Sequence, residues 1–85
     1  MRIVVVSGGF DPIHAGHIAY FREASRLGDI LVAGVNSDDW LTRKKGKPFM
    51  SFDDRIAVVS SIKYVNYALR FDDSDDSAVK LLEEV

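Results

Sequence analysis

The chain has no cysteine among its 85 residues. That absence removes disulfides, thiolate zinc sites and cysteine nucleophiles together, and it leads us to expect a cytoplasmic location. Thr42 is the sole threonine, so no threonine-rich segment exists anywhere in the sequence. Positive charge is not in excess: the net charge is −2, which gives no global attraction for nucleic acid or an anionic membrane. Neither class of partner is expected. No apolar run approaches the roughly 20 residues that cross a bilayer, and residues 1–6 are too short for a signal peptide. What is present is an ordinary globular composition, 47% hydrophobic and 28% charged. At this size the chain is one small domain with one core, close to the limit where burial offsets the entropy of ordering. Any anion site must therefore be local.

Ile3-Val4-Val5-Val6 is a β-branched run closed by Ser7-Gly8-Gly9, which predicts a strand over residues 2–6 buried on both faces of a parallel sheet. From Gly16 onward Ile18, Phe21, Ala24 and Leu27 recur at helical spacing, with Arg26 in the last turn and Gly28 as the stop. Asp29 to Val35 is a second apolar run that leaves the sheet at Asn36-Ser37-Asp38-Asp39. Arg43 to Pro48 reads as a basic loop, with room for one helical turn at Asp38 to Thr42. Ser51, followed by Asp53 and Asp54, caps a second helix through Ile56, Val59 and Lys63, ending before Tyr64. Tyr64 to Phe71 suits a third strand, and Ala78 to Leu82 a terminal helix. This alternation predicts an α/β fold, Rossmann-like with three α-β-α layers, right-handed crossovers and a parallel sheet of strand order 3-2-1. A ligand crevice is expected at the carboxyl ends of the strands.

The chemistry gathers at that edge. Gly8 and Gly9 allow backbone amides to approach phosphate oxygens, the following helix start adds amides and the positive end of a dipole, and His14 and His17 add donors able to become cationic. Asn36, Ser37, Asp38 and Lys44 reach the same edge. Each element has a plainer reading. Asp11 caps the helix or fixes the loop as readily as it enters a metal shell, and we expect no direct ligation by it. The run Arg43 to Lys47 is a solvated loop by default. Arg55 pairs with a neighbouring acid. The acids Asp72 to Asp76 lack the glycine and terminal glutamate of a calcium loop and read as a solvated helix start. Trp40, Phe49 and Phe52 either stack on a base or plug the core.

Gly9-Phe10-Asp11-Pro12-Ile13-His14-Ala15-Gly16-His17 resembles the signature of the cytidylyltransferase-like nucleotidyltransferase superfamily with its His-x-Gly-His motif. Leu27-Gly28-Asp29, Val35-Asn36-Ser37-Asp38, Lys44 and Arg55 bring the chain nearest to the glycerol-3-phosphate cytidylyltransferases and the nucleotidyltransferase domain of ADP-heptose synthases. Class I aminoacyl-tRNA synthetases share a related element, but Phe10-Asp11-Pro12 and the short spacing to Lys44 favour the small transferases. Members of the family continue past the third strand with further strands and a Gly-Ile-Ser-Thr-Thr-type segment, so the chain is expected to be the first half of that domain.

The resemblance implies transfer of CMP or AMP from CTP or ATP to a small phosphorylated acceptor, with release of pyrophosphate and no covalent enzyme intermediate. It implies catalytic roles for His14, His17 and Lys44. Nucleotide contacts would come from Gly8, Gly9, Phe10, Asp11, His14, His17, Arg55 and Lys63, and acceptor contacts from Asn36, Ser37, Asp38 and Lys44. Lys63 stands where these enzymes commonly carry an arginine. Mg²⁺ would be held through the phosphates, with no protein ligand. The other expectations are a catalytically incomplete phosphate-binding module, and self-association through an open edge of Ile3-Val4-Val5-Val6 to give a homo-oligomer.

Overall fold

A computed structural model describes residues 1–85. Its elements are β1 (Ile3–Gly8), α1 (Ala15–Ser25), β2 (Ile30–Val35), α2 (Asp38–Lys45), α3 (Phe52–Ser60), β3 (Tyr67–Arg70) and α4 (Val79–Glu84). The three strands form one parallel sheet in the order β1-β2-β3, with Val5 opposite Val32 and Val32 opposite Tyr67. The sheet is thus the expected 3-2-1 arrangement of a Rossmann-like α/β fold. No helix is long and apolar enough to cross a membrane.

Right-handed crossovers put α1 and α3 on the same face. Alternation along the strands then turns Val4, Val6, Leu31, Ala33 and Val35 toward Phe21 and Val59, which are fully enclosed. Full burial of a side chain such as Leu31, Val35 or Phe21 contributes about 2 kcal/mol. On the opposite face Gly34 lies under Leu81 of α4, close enough that a Cβ at Gly34 would fall 2.9 Å from the leucine Cδ1. The three layers are therefore α1 and α3, the sheet, and α4.

Several boundaries differ from expectation for local reasons. β1 runs on through Ser7 to Gly8, because the Gly8 carbonyl still pairs with β2's exit by accepting the Asn36 amide at 2.9 Å. The basic stretch is helical through Lys45: Ser37 caps it by accepting the Trp40 amide, and Gly46, at φ 89, stops it. β3 is only Tyr67–Arg70, since Val65 is drawn into a turn and Asn66 clips to both backbone groups of Leu31. α1 stops at Ser25, and Leu27 is exposed.

Gly28 is consequently no helix stop. A Cβ there would lie 2.8 Å from the Arg2 carbonyl oxygen and 2.8 Å from a Val4 methyl. The turn into β2 crosses β1 at a distance only glycine permits. We expect Gly28→Ala to destabilise the fold by about 1–3 kcal/mol, because a backbone carbonyl cannot yield as a side chain does; urea unfolding measures it, and an unchanged midpoint would contradict this packing.

Candidate active site

β1 delivers the chain to a loop whose shape is set by apolar packing. Phe10 sits at φ 54, a conformation sparsely allowed for a bulky residue. Its buried ring lies 5.1 Å from Phe21 and edge-on to His17 at 5.3 Å. Phe10 is therefore the loop's apolar anchor and the support of His17, and its ring is not offered to a nucleotide as expected. Gly9 lies against α2, where a Cβ would meet Leu41 at 2.8 Å and Trp40 at 3.6 Å. The amides of Gly9 and Phe10 donate to no protein acceptor, so two N–H groups remain available at the strand end.

The two histidines form a reciprocal cap on α1. His14, extended at φ −150, is the N-cap, and its Nδ1 accepts the Gly16 amide at 3.0 Å. His17 Nδ1 reaches back and accepts the His14 amide at 3.1 Å. Imidazole nitrogens thus do the work that Ser and Glu do in the usual capping box. The glycine between them is required, because a Cβ on Gly16 would sit 2.7 Å from the His14 ring.

This cap decides the tautomers. With Nδ1 accepting, each neutral ring carries its proton on Nε2, which makes no bond within the protein. The ring centroids lie 4.1 Å apart, tilted by 36°. Burial, and secondarily the neighbouring His14, hold the His17 pKa below its ordinary value. For His17 this disfavours the cationic form that the sequence left open.

Asp11 settles into the loop-fixing role of the two open to it. Its carboxylate accepts the amides of Phe49 and Met50, both at 2.6 Å, and pairs with Lys45 at 2.7 Å. The side chain is fully enclosed, so neither nucleotide nor metal is met by it. The carboxylates and histidines assemble no cluster of metal-binding spacing.

Arg55 is the largest fully buried side chain. Its Nε donates to the Met50 carbonyl, one Nη to the carbonyls of Gly9 at 2.9 Å and Asn36 at 2.7 Å, and the other Nη to Asp38 Oδ1 at 2.6 Å. The nucleotide contact expected of Arg55 is therefore corrected. Its partner is an acid seventeen residues away rather than a helix neighbour, and the guanidinium lies beneath the site, tying the exits of β1 and β2 together.

Asn36 and Ser37 are likewise committed. Both donate to Asp73, the Asn36 amide at 3.0 Å, the Ser37 amide at 2.7 Å and the Ser37 hydroxyl at 2.8 Å. Asp73 is buried, against the reading of the acidic run as wholly solvated. Sequence reasoning missed it, although it stands two residues past the apolar end of the third strand, where strand exits gather. Asp38 and Ser37 still border a polar cavity of about 340 Å³ with Asp39, Ser51, Asp53 and Arg70, whose guanidinium lies 3.9 Å from the Phe52 ring centroid.

Lys44 stays with the site. Its ammonium lies 5.6 Å from the centre of the Trp40 ring, one turn back and beside Gly9. Lys63 does not. It follows the end of α3, which runs back from the strand exits to the start of β3, and it lies over Tyr64 at the opposite edge of the sheet. The expectation rested on the resemblance, and the direction of α3 carries Lys63 away from the strand exits.

A parallel sheet ending in a glycine-rich loop, with a histidine-capped helix behind it, defines an α/β protein of the Rossmann-like class. Residues 5–84 match the family model described as cytidylyltransferase-like. The chain belongs to that family. It is 41% identical over 86 residues to the bifunctional protein HldE of Campylobacter concisus and 40% identical over 84 residues to that of Helicobacter pylori strain HPAG1. These alignments cover 99% and 96% of the chain but 18% of each relative. A solved lipopolysaccharide core biosynthesis protein from Thermoplasma volcanium superposes with a TM-score of 0.90 at 34% identity, over 100% of this chain and 68% of that one.

Two of the locking carboxylates give the site a pH signature. Burial would raise the pKa of Asp11, but Lys45 and the amides of Phe49 and Met50 hold it below the usual range. Burial likewise opposes ionisation of Asp73, and the Ser37 amide, Asn36 and the Ser37 hydroxyl overcome it. Folded acids with lowered pKa bind protons less readily than unfolded ones, whose value is about 3.9. Their stabilisation is therefore complete above about pH 4 and lost as pH falls through the lower folded values. Urea unfolding should show a smaller loss of stability between neutral and acid pH in Asp73→Asn than in the parent; equal losses would contradict the lock.

Proposed function

We propose that the chain carries the triphosphate-handling part of a transfer of CMP or AMP from CTP or ATP to a small phosphorylated acceptor. The observation that carries the reading is the histidine cap, which engages both Nδ1 atoms and leaves both Nε2 atoms without a protein partner. An acceptor phosphate oxygen attacks the α-phosphorus, the bond to the bridging oxygen breaks, and pyrophosphate leaves. Negative charge then grows on the α-phosphoryl oxygens and the departing group, so aimed donors are what this reaction needs. His14 and His17 supply them as neutral donors, and Lys44 adds a mobile point charge at the rim. Mg²⁺ would neutralise the phosphate chain when bound. With Asp11 enclosed by its amides and Lys45, the ion's ligands come from the phosphates.

The acceptor belongs, on this reading, in the polar cavity bordered by Ser37, Asp38 and Arg70, with Lys44 between the two substrates. A hydroxylated acceptor could bond the aspartates while its phosphate turns toward the cations. The lack of cysteine accords with a cytoplasmic enzyme.

One observation favours a second reading. Arg2 and Gly8 carbonyls bond toward β2, so Ile3, Val5 and Ser7 point their backbone groups at an open edge of β1. No charge or proline blunts that edge, which suits self-association without catalysis.

Pyrophosphate release from CTP or ATP, with Mg²⁺ and polyol or sugar phosphates, tests the primary reading. Asparagine can cap α1 through Oδ1 as Nδ1 of His14 does, but it has no donor at the Nε2 position. His14→Asn should thus keep the fold and lose about 100-fold in turnover, the value of roughly 3 kcal/mol of aimed charge stabilisation. A folded, self-associated parent that releases no pyrophosphate would overturn the reading.

A further inference from the structure

α2 ends in three consecutive cations, Arg43, Lys44 and Lys45, and the fold uses them differently. Arg43 pairs with Asp76 at 2.9 Å and donates to the Asp73 carbonyl. Lys45 pairs with the Asp11 carboxylate at 2.7 Å and donates to the Asp11 carbonyl at 2.8 Å. Lys44, between them, forms no ion pair within the chain. Its ammonium stands instead 5.6 Å from the centre of the Trp40 ring, within the range of a cation–π contact. Trp40 occupies the place four residues earlier on the helix, where an acid would make the usual side-chain pair with a lysine.

The ring has a fixed seat beside the phosphate loop. The Trp40 amide donates to the Ser37 hydroxyl at 3.0 Å as part of the α2 cap. The indole reaches the exit of β1, where a Cβ on Gly9 would lie 3.6 Å from its Cζ3. One side chain thus neighbours both the loop at Gly9 and the ammonium of Lys44.

The choice of an aromatic partner has a chemical consequence. A carboxylate in that place would neutralise the ammonium and occupy its N–H groups, and a phosphate would have to displace it. A ring attracts the cation through its quadrupole and leaves the N–H donors to phosphate oxygens. It also narrows the range that a mobile lysine explores, so less freedom is lost when an anion arrives.

We propose that Trp40 is a positioning residue for Lys44, holding the ammonium near Gly9 with its charge unneutralised and keeping that contact when phosphate binds. This rests on the triphosphate reading above. Trp40 meets no substrate in this role and acts through the lysine alone.

Calorimetry with inorganic tripolyphosphate, on the whole chain and four variants, tests the assignment. The parent should bind, and Lys44→Met should bind more weakly. Trp40→Leu keeps an apolar side chain against Gly9 and should weaken binding about threefold, the size of one exposed cation–π contact. Trp40→Phe restores an aromatic face and should recover most of that loss. In the Lys44→Met background, Trp40→Leu should cause no further loss, because the two residues act as one unit. Equal losses in the two backgrounds, or equal losses with leucine and phenylalanine, would make Trp40 a packing residue of the loop and overturn the proposal. So would an unchanged affinity in Trp40→Leu. An unchanged affinity in Lys44→Met would take Lys44 away from the phosphates and overturn the proposal while the histidine site stands. A parent that binds no tripolyphosphate overturns both.

Discussion

A single guanidinium organises this small domain. Arg55, enclosed by protein, joins the carbonyl that ends the first strand's exit at Gly9 to the carbonyl of Asn36 after the second, and pairs with Asp38 at the start of α2. A buried charge is tolerated only when its hydrogen bonds are met, and here the backbone meets most of them. Five donors in a rigid fork can hold three segments at fixed spacing, which an ammonium could not. Asp11 and Asp73 repeat the device with opposite sign, the first fastening the α2–α3 loop to the phosphate loop, the second fastening the exits of β2 and β3. The sheet edge is thus a lattice of enclosed charges that meet backbone groups.

That lattice lies beneath the histidines and leaves them free for chemistry. Their Nδ1 atoms cap α1, so the same two rings terminate a helix and present donors outward. Coupling of these roles explains the spacing, since His17 can reach the His14 amide only from one turn on, and Gly16 must be bare for the His14 ring to lie across it.

Much of this was legible in the residues. The β-branched run Ile3 to Val6, the glycine pair and the histidine spacing carried the fold class, the strand order and the position of the phosphate loop, because each follows from local pattern and crossover handedness. Roles that depend on long-range contacts were not legible. Arg55 read as a helix-surface ion-pair partner because two of its three carbonyl acceptors, Gly9 and Asn36, lie on distant segments. Asp73 was indistinguishable from its solvated neighbours by type alone. Lys44 was singled out by resemblance, but the pairing of Lys45 with Asp11 was not legible, because it joins residues far apart in the chain. Lys63 was placed by resemblance alone, and which end of the sheet its helix reaches follows from the topology, not from its residue type.

The account's central claim is a division of labour, with histidine Nε2–H groups meeting phosphate and Arg55 holding the frame beneath. Nitrogen-15 NMR during titration with a non-hydrolysable CTP analogue tests it most directly. The account predicts that the Nε2 resonances of His14 and His17 and the amides of Gly9 and Phe10 shift with the ligand, while the Arg55 Nε resonance stays in place. A shift at Arg55 with unmoved histidines would contradict it.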